Sequence, residues 1–232
     1  MTDPGLESVA ARVLELVADG MRLGLGTGHA AAVFLDRLAE RIRNGLHVIG
    51  VPTSEATAAH ARRLGIPLGT LDDEPEDLAL TIDGADEVAP NLDLVKGFGG
   101  ALVRERIVAA ASRRQVILVG HEKLVERLGM RGRIPIEVVP FACRLVLHRA
   151  RGLGLDPVVR LADGRPAISD NGNLTIDCGL ATPFADAGAA RTLEANLRAI
   201  PGVVDTGLFL GTAERVLVGY PDGHVDVLQR EG

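Results

Sequence analysis

The chain has 232 residues, of which 47% are hydrophobic and 3% aromatic, so a folded core must consist mainly of aliphatic side chains. This composition excludes intrinsic disorder. With 25 basic and 31 acidic residues the formal net charge is -6, which argues against a broad surface for nucleic acid or an anionic membrane. The sequence contains no stretch approaching the roughly 18 consecutive apolar residues of a membrane span.

The N-terminal segment indicates the cellular setting, and the two cysteines are considered with it. The start MTDPGLESVAARVLELV is acidic rather than basic and has no small-residue cleavage site after a long apolar run, so we expect a mature, cytoplasmic N-terminus. Cys143 and Cys178 stand far apart in the sequence, and we interpret both as small buried apolar side chains.

The first half of the chain alternates short apolar runs with segments of helical spacing. This alternation is typical of βαβ units and predicts a parallel sheet. The predicted helices are 6–18, 30–43, 55–64 and 101–112, and the predicted strands are 21–25, 47–51, 78–82, 92–95 and 115–119.

From about residue 131 the pattern changes to short strands separated by hairpin turn residues such as Asp163-Gly164. Strands are predicted at 157–161, 166–169 and 173–178, between helices at 141–151 and 186–199. Two further strands, 215–219 and 224–228, are expected to join the first sheet. The predicted fold is therefore α/β: a Rossmann-like parallel-sheet domain (1–130 plus 205–232) with a smaller α+β, ferredoxin-like domain (131–204) inserted before the C-terminal strands.

Residues that could take part in binding or catalysis follow the predicted strands. In chain order these segments are GLGTGHA (24–30), PTSE (52–55), DGADE (83–87), KGFGG (96–100) and GHEK (120–123). Because ligands bind where the carboxyl ends of parallel strands meet, we expect these segments to form one site. The glycine-rich first loop, followed by a helix N-terminus, suits a phosphate, although tight packing alone would also explain it. It lacks the complete dinucleotide and P-loop patterns.

Three acidic residues and a lysine are the candidate catalytic groups. The residues three and four positions from Glu105 are apolar, so burial would make its carboxylate a useful base; an ion pair with Arg104, Arg106 or another helix is the alternative. Asp83 and Asp86 flank a Gly-Ala turn, where they could hold sugar hydroxyls, assist ring opening, chelate a divalent cation, or only cap the turn. Lys96 supplies positive charge before three glycines, or serves structural pairing.

The segments GLGTGHA, VPTSEATAAHARRLGIPL, TIDGADEVAPNLDLVKGFGGALVRERIVA, EKLV and IPGVVDTGLF closely resemble ribose-5-phosphate isomerase, type A. The likeness is collinear over almost the whole chain. It implies a homo-oligomer, a homodimer or homotetramer, that interconverts ribose 5-phosphate and ribulose 5-phosphate in the pentose phosphate pathway. It also implies that the reaction needs no metal and no organic cofactor, and that no nucleic acid or membrane takes part.

The resemblance assigns roles to individual residues. Glu105 corresponds to the general base, Asp83 and Asp86 to the acids that bind the sugar and help to open its ring, and Lys96 to the cation beside the enediolate oxygen. The expected substrate-binding residues are Thr27, Gly28, His29, Ala30, Gly84, Ala85, Gly97, Phe98, Gly99 and Lys123.

The chain also departs from the family pattern. The typical loop GTGST here has His29 and Ala30 in place of two hydroxyl residues, and Gly120 replaces the acid of the family's D-x-x-K. Phe98 stands where the glycine run often continues. We expect these changes to affect affinity and substrate choice rather than the reaction class.

Two other functions fit the same segments. A sugar-phosphate-sensing regulator would share the scaffold, but it would normally carry a DNA-binding unit and would not require Glu105. An acyl or coenzyme A transferase could use Glu105 as a nucleophile, but it would need a much larger acceptor site and leaves the DGAD acids without a task.

Overall fold

The structure of the protein is a computed structural model that describes residues 3–73 and 78–230. Its contacts divide the chain into two compact units. The larger unit comprises Met1–Ala85, Arg104–Lys123 and Thr212–Gly232, and the smaller unit comprises Asp86–Val103 and Leu124–Gly211. Residues 86–103, 124–130 and 205–211 thus group with the smaller unit, whereas the sequence pattern had placed them in the parallel-sheet domain. The predicted domain boundaries themselves stay a prediction.

Six α-helices lie within the described ranges: α1 (Pro4–Val13), α2 (His29–Arg43), α3 (Glu55–Leu64), α4 (Leu102–Ala110), α5 (Cys143–Gly152) and α6 (Ala187–Arg198). The strands described there are β1 (Arg22–Leu25), β2 (Ile49–Pro52), β3 (Leu80–Asp83), β4 (Glu87–Val88), β5 (Leu94–Val95), β6 (Gln115–Gly120), β7 (Arg133–Val138), β8 (Asp156–Val159), β9 (Leu161–Ala162), β10 (Arg165–Pro166), β11 (Leu174–Gly179), β12 (Val203–Thr206), β13 (Leu208–Phe209), β14 (Arg215–Gly219) and β15 (Val225–Gln229). Mixed α/β architecture is thereby confirmed.

A six-stranded sheet forms the centre of the larger unit, in the order β15-β14-β6-β3-β1-β2. All neighbouring pairs are parallel except β14 with β15. Aliphatic side chains of the strands and of α1, α2 and α3, with Phe34 of α2, form its main core. The two C-terminal strands extend this sheet, as their apolar pattern predicted, because β14 adds in parallel beside β6.

Local signals explain where the helices of the larger unit begin and end. The Asp3 carboxylate accepts the N–H groups of Gly5 and Leu6 at the start of α1, and the Ser54 hydroxyl accepts the Thr57 N–H at the start of α3. Such caps satisfy donors that have no partner within the helix. Helix α3 ends at Leu64 and is followed by its C-cap, Gly65, which is in the left-handed region at φ 76.

The smaller unit contains a four-stranded antiparallel sheet in the order β12-β7-β11-β8. Side chains of its strands, of α5 and of α6 share a buried apolar cluster. This agrees with the α+β character predicted from the hairpin turns. Strands β7 and β12, which form half of the sheet, were not among the predicted strands.

The predicted strand at 92–95 requires a correction. Its observed part, β5, pairs antiparallel with β4 and β13 in a separate three-stranded sheet of the smaller unit. Residues 89–93 are too few for the crossover of about a dozen residues that joins parallel strands, so the chain reverses in a tight turn. Lys96 therefore does not follow a strand of the parallel sheet.

The two cysteines are free thiols. Burial raises the pKa of Cys178 to about 12, as expected of a thiol in an apolar core, whereas Cys143 is only partly buried. None of the helices in the described part combines the length and apolar character needed to cross a membrane.

Candidate active site

The carboxyl edge of the six-stranded sheet brings together the loop after β1 and the end of β3. Asp83, the last residue of β3, is completely buried. Its Oδ1 accepts the N–H of Thr27 at 3.1 Å and that of Gly84 at 2.7 Å. A Cβ at Gly26 would collide with this carboxylate, so only glycine allows the loop to lie so close. The sequence placed Thr27, Asp83 and Gly84 at one sheet edge, and within the larger unit they do meet.

A set of hydrogen-bonded hydroxyl groups holds the loop that contains Gly26 and Thr27. The Thr27 hydroxyl donates to Ser54 Oγ at 2.8 Å, Ser54 donates to Thr57 Oγ1 at 3.0 Å, and Thr57 donates to the carbonyl of Gly26 at 2.9 Å. Thr53 Oγ1 lies 2.8 Å from Thr27 Oγ1. This hydroxyl relay begins and ends in the same loop and so fixes its conformation. Thr27 was an expected substrate contact, and Ser54 lies in the segment PTSE that was expected at the same sheet edge, whereas no role was predicted for Thr57.

Glu105 lies on α4 and is 4% exposed, which confirms the burial predicted from its apolar neighbours. Arg104, one of its proposed ion-pair partners, donates to the exposed Glu55 at 2.9 Å. The burial of Glu105 is thus observed, and its role as a general base stays a prediction.

The residues expected to bind phosphate lie at the start of α2 and at the end of the 3₁₀ turn that follows β6. His29 is the first residue of α2, and like Gly28 it is exposed, whereas Ala30 is half-buried. The first-turn N–H groups of this helix have no intrahelical acceptors and suit an anion. Lys123 is half-buried and ends the 3₁₀ turn that follows β6.

Gly120 stands where the D-x-x-K pattern has an acid, but the carboxylate of a nearby residue occupies the space beside it. At Gly120 a Cβ would collide with the carboxylate of Glu122, which folds back over the end of β6. The volume that a side chain at position 120 would occupy is therefore filled by the carboxylate of a residue two positions later.

In the smaller unit, Lys96 begins the loop 96–100, and Asp86 contacts the backbone of this loop. Asp86 Oδ2 accepts the Phe98 N–H at 2.9 Å. Lys96 is 2% exposed, its N–H donates to the Gly207 carbonyl, and its Nζ lies 5.5 Å from the centre of the Phe209 ring. Both Asp83 and Asp86 thus make the backbone contacts expected of turn capping, and their roles toward a sugar stay predictions.

The same loop is held by a partly buried ion pair that was not predicted from the sequence. Arg160 Nη1 donates to the carbonyls of Gly97 and Phe98, each at 3.0 Å, while Nε and Nη2 donate to Asp177 at 2.9 and 2.5 Å. The Arg133 guanidinium lies 4.2 Å from the centre of the Phe98 ring. No signal in the local sequence links Arg160 to a loop about sixty residues earlier.

Within the described ranges, 3–73 and 78–230, no three His, Cys, Asp or Glu side chains are grouped so that they could hold a metal ion. The expected metal independence of the reaction is a separate matter that only activity measurements test.

A family model described as ribose 5-phosphate isomerase A (phosphoriboisomerase A) matches residues 49–223. The ribose-5-phosphate isomerase A of Roseiflexus castenholzii is 49% identical over 221 residues, which cover 94% of this chain and 92% of that protein. The enzyme of the same name from Gloeobacter violaceus is 47% identical over 223 residues, or 96% of this chain and 94% of the relative.

Solved structures agree with these relatives. The ribose 5-phosphate isomerase A of Methanocaldococcus jannaschii superposes with a TM-score of 0.90 and 41% identity over 98% of this chain and 100% of that one. A D-ribose-5-phosphate isomerase in complex with phospho-erythronic acid gives a TM-score of 0.91 and 34% identity over 99% of this chain and 100% of that one.

Proposed function

Since the chain belongs to the ribose 5-phosphate isomerase A family, we propose that it interconverts D-ribose 5-phosphate and D-ribulose 5-phosphate in the non-oxidative pentose phosphate pathway. The observation that carries the proposal is the family match over 49–223, a range that includes Asp83, Asp86, Lys96, Glu105 and Lys123. Membership makes the chain an aldose-ketose isomerase, and the substrate and the residue roles are the proposed part.

The reaction moves one proton between two carbons. Asp83 and Asp86 bind the sugar and assist the opening of its ring. Glu105 then removes the proton from carbon 2 of the aldose, leaving an enediolate with its negative charge on oxygen 1. A proton passes from the hydroxyl at oxygen 2 to oxygen 1, and Glu105 returns its own proton to carbon 1 to give the ketose. Lys96 places positive charge beside the enediolate oxygen, where a preorganised charge lowers the barrier most.

The phosphate is assigned to the larger unit. Thr27 and Gly28 form the loop before α2, and the N-terminal N–H groups of that helix stabilise a dianion. Because the Thr27 hydroxyl is engaged by Ser54, backbone groups of the loop are better placed than this hydroxyl to donate to the phosphate. Lys123 adds a charged contact. A relative solved with phospho-erythronic acid, a sugar-acid phosphate, supports this class of ligand.

The remaining parts of the proposal concern setting and requirements. The protein acts as a homodimer or homotetramer in the cytoplasm, needs no metal or organic cofactor, and engages neither nucleic acid nor a membrane. Positive charge at the enediolate is supplied by Lys96 in this proposal, so a metal has no necessary role.

The test is incubation of the purified protein with ribose 5-phosphate after exhaustive chelation, with ketose followed over time. We expect isomerisation that is unaffected by chelation. Binding of the sugar phosphate without ketose formation would favour the regulator instead. Loss of activity on chelation with recovery on adding magnesium or manganese would contradict the metal-free mechanism but not the isomerase activity.

A further inference from the structure

The loop that follows Lys96 is intrinsically pliable. Gly97 and Gly100 have φ of +101 and +83, and Gly99 is exposed at the tip. Glycine restricts the backbone least, so a segment of this composition samples many conformations unless other groups hold it. The only backbone bond described within it joins the Gly100 N–H to the Gly97 carbonyl at 3.0 Å.

We propose that Arg160 and Asp177 are positioning residues for the isomerisation, which fix the backbone of residues 97–98 and thereby hold the loop in its reactive form before substrate binds. This inference rests on the proposed function. Neither residue is among the groups assigned to the substrate.

The donor geometry of Arg160 supports this assignment. Nε and Nη2 form a bidentate pair with Asp177, which orients the guanidinium plane and leaves Nη1 to donate to two successive carbonyls. Both side chains of the pair are only 15% exposed, so solvent screens the contact little. Lysine, a flexible single point charge, lacks this planar fork.

One peptide group of the loop is held at both of its ends. The Gly97 carbonyl accepts from Arg160 while the Phe98 N–H, in the same planar unit, donates to Asp86. A flip of this peptide would break both charge-assisted bonds. The Phe98 ring is further anchored by Arg133, whose Nη1 lies 3.5 Å from Asp177. The peptide group after Gly97 is thus held by two carboxylates: its N–H donates to Asp86 directly, and its carbonyl is linked to Asp177 through Arg160.

The experiment compares Arg160→Lys, Arg160→Met, Asp177→Asn and the double variant Arg160→Met/Asp177→Asn with the unmodified protein. Because small displacements near reacting groups cost up to about a hundredfold, we expect kcat to fall about ten- to a hundredfold while KM changes less than about threefold. The double variant should lose no more than the worse single variant, since both residues act through one contact.

Arg114→Met is the matched control, because Arg114 forms another bidentate pair, with Glu214 at 2.6 and 3.0 Å, and both residues belong to the larger unit. It should lower the melting temperature without lowering kcat. Unchanged kcat in Arg160→Lys and Asp177→Asn, or a loss matching only the unfolded fraction, would overturn the proposal. If Arg160→Met does not fold, these two conservative variants decide the outcome. Absence of ketose with the unmodified protein would instead reject the proposed function.

Discussion

The two units hold their predicted site residues by different kinds of interaction. In the larger unit, backbone N–H groups and the hydroxyl relay fix Thr27 and Asp83. In the smaller unit, a guanidinium and two carboxylates fix the loop after Lys96. The loop 26–28 spans only the gap between β1 and α2, so both ends are already set by regular structure. The loop 96–101 follows a strand of two residues and contains three glycines, and it requires stronger anchors.

The largest effect tests whether the larger unit supplies the base. Replacing Glu105 with Gln retains the shape of the side chain but removes its basicity, so we expect kcat to fall by about a hundredfold or more with KM nearly unchanged. Steady-state kinetics would measure this. Glu40→Gln, on the exposed surface of α2, is the control and should leave kcat intact. Near-normal turnover in Glu105→Gln would show that the base lies elsewhere.

A smaller effect tests whether the hydroxyl relay holds the loop 26–28. Thr57→Val is nearly isosteric but removes the donor to the Gly26 carbonyl. Leaving a buried acceptor without its donor costs about 1–3 kcal/mol, so the free energy of unfolding should fall by that amount and KM should rise. Urea denaturation and kinetics would measure both.

Thr192→Val provides the comparison for Thr57→Val. The Thr192 hydroxyl also donates to a carbonyl, that of Gly188 at 2.9 Å, but on an exposed face of α6 where water can replace it. Equal losses in the two variants would mean that the relay has no special part in holding the loop.

The smallest effect asks whether His29, at the exposed start of α2, contributes to phosphate binding. An imidazole N–H that donates to the phosphate would make a charge-assisted contact. His29→Ala should then raise KM by about two- to fivefold, as expected for so exposed a contact. Steady-state kinetics would measure this. An unchanged KM would leave the backbone loop and Lys123 as the phosphate contacts.

Sequence patterns predicted those parts of the molecule whose structure is determined locally. The strands 115–119 and 215–219 were recognised because each contains an uninterrupted apolar run, VILV at 116–119 and VLV at 216–218. The buried position of Glu105 followed from its neighbours one helical turn away. The start of α3 was also predicted correctly, at residue 55.

The parts that were missed depend on distant partners or on very short elements. Strand β5 has two residues, and its antiparallel pairing is set by the turn before it rather than by its own sequence. Contacts between Arg160 and the Gly97 carbonyl, or between Thr57 and Gly26, join positions 31 to 63 residues apart. Such contacts are invisible in a single sequence because the glycine-rich segments do not show which distant side chain contacts their carbonyls.

The carboxylate of Glu122, which fills the space beside Gly120, has a consequence for how this strand end can change during evolution. A side chain introduced at position 120 would expel that carboxylate, which belongs to a residue whose side chain is 59% exposed and can turn outward. The space beside position 120 accommodates one carboxylate, which can belong to residue 120 or to residue 122. An aspartate at 120 would therefore replace the local negative charge rather than double it, and the two positions are expected to change as a coupled pair.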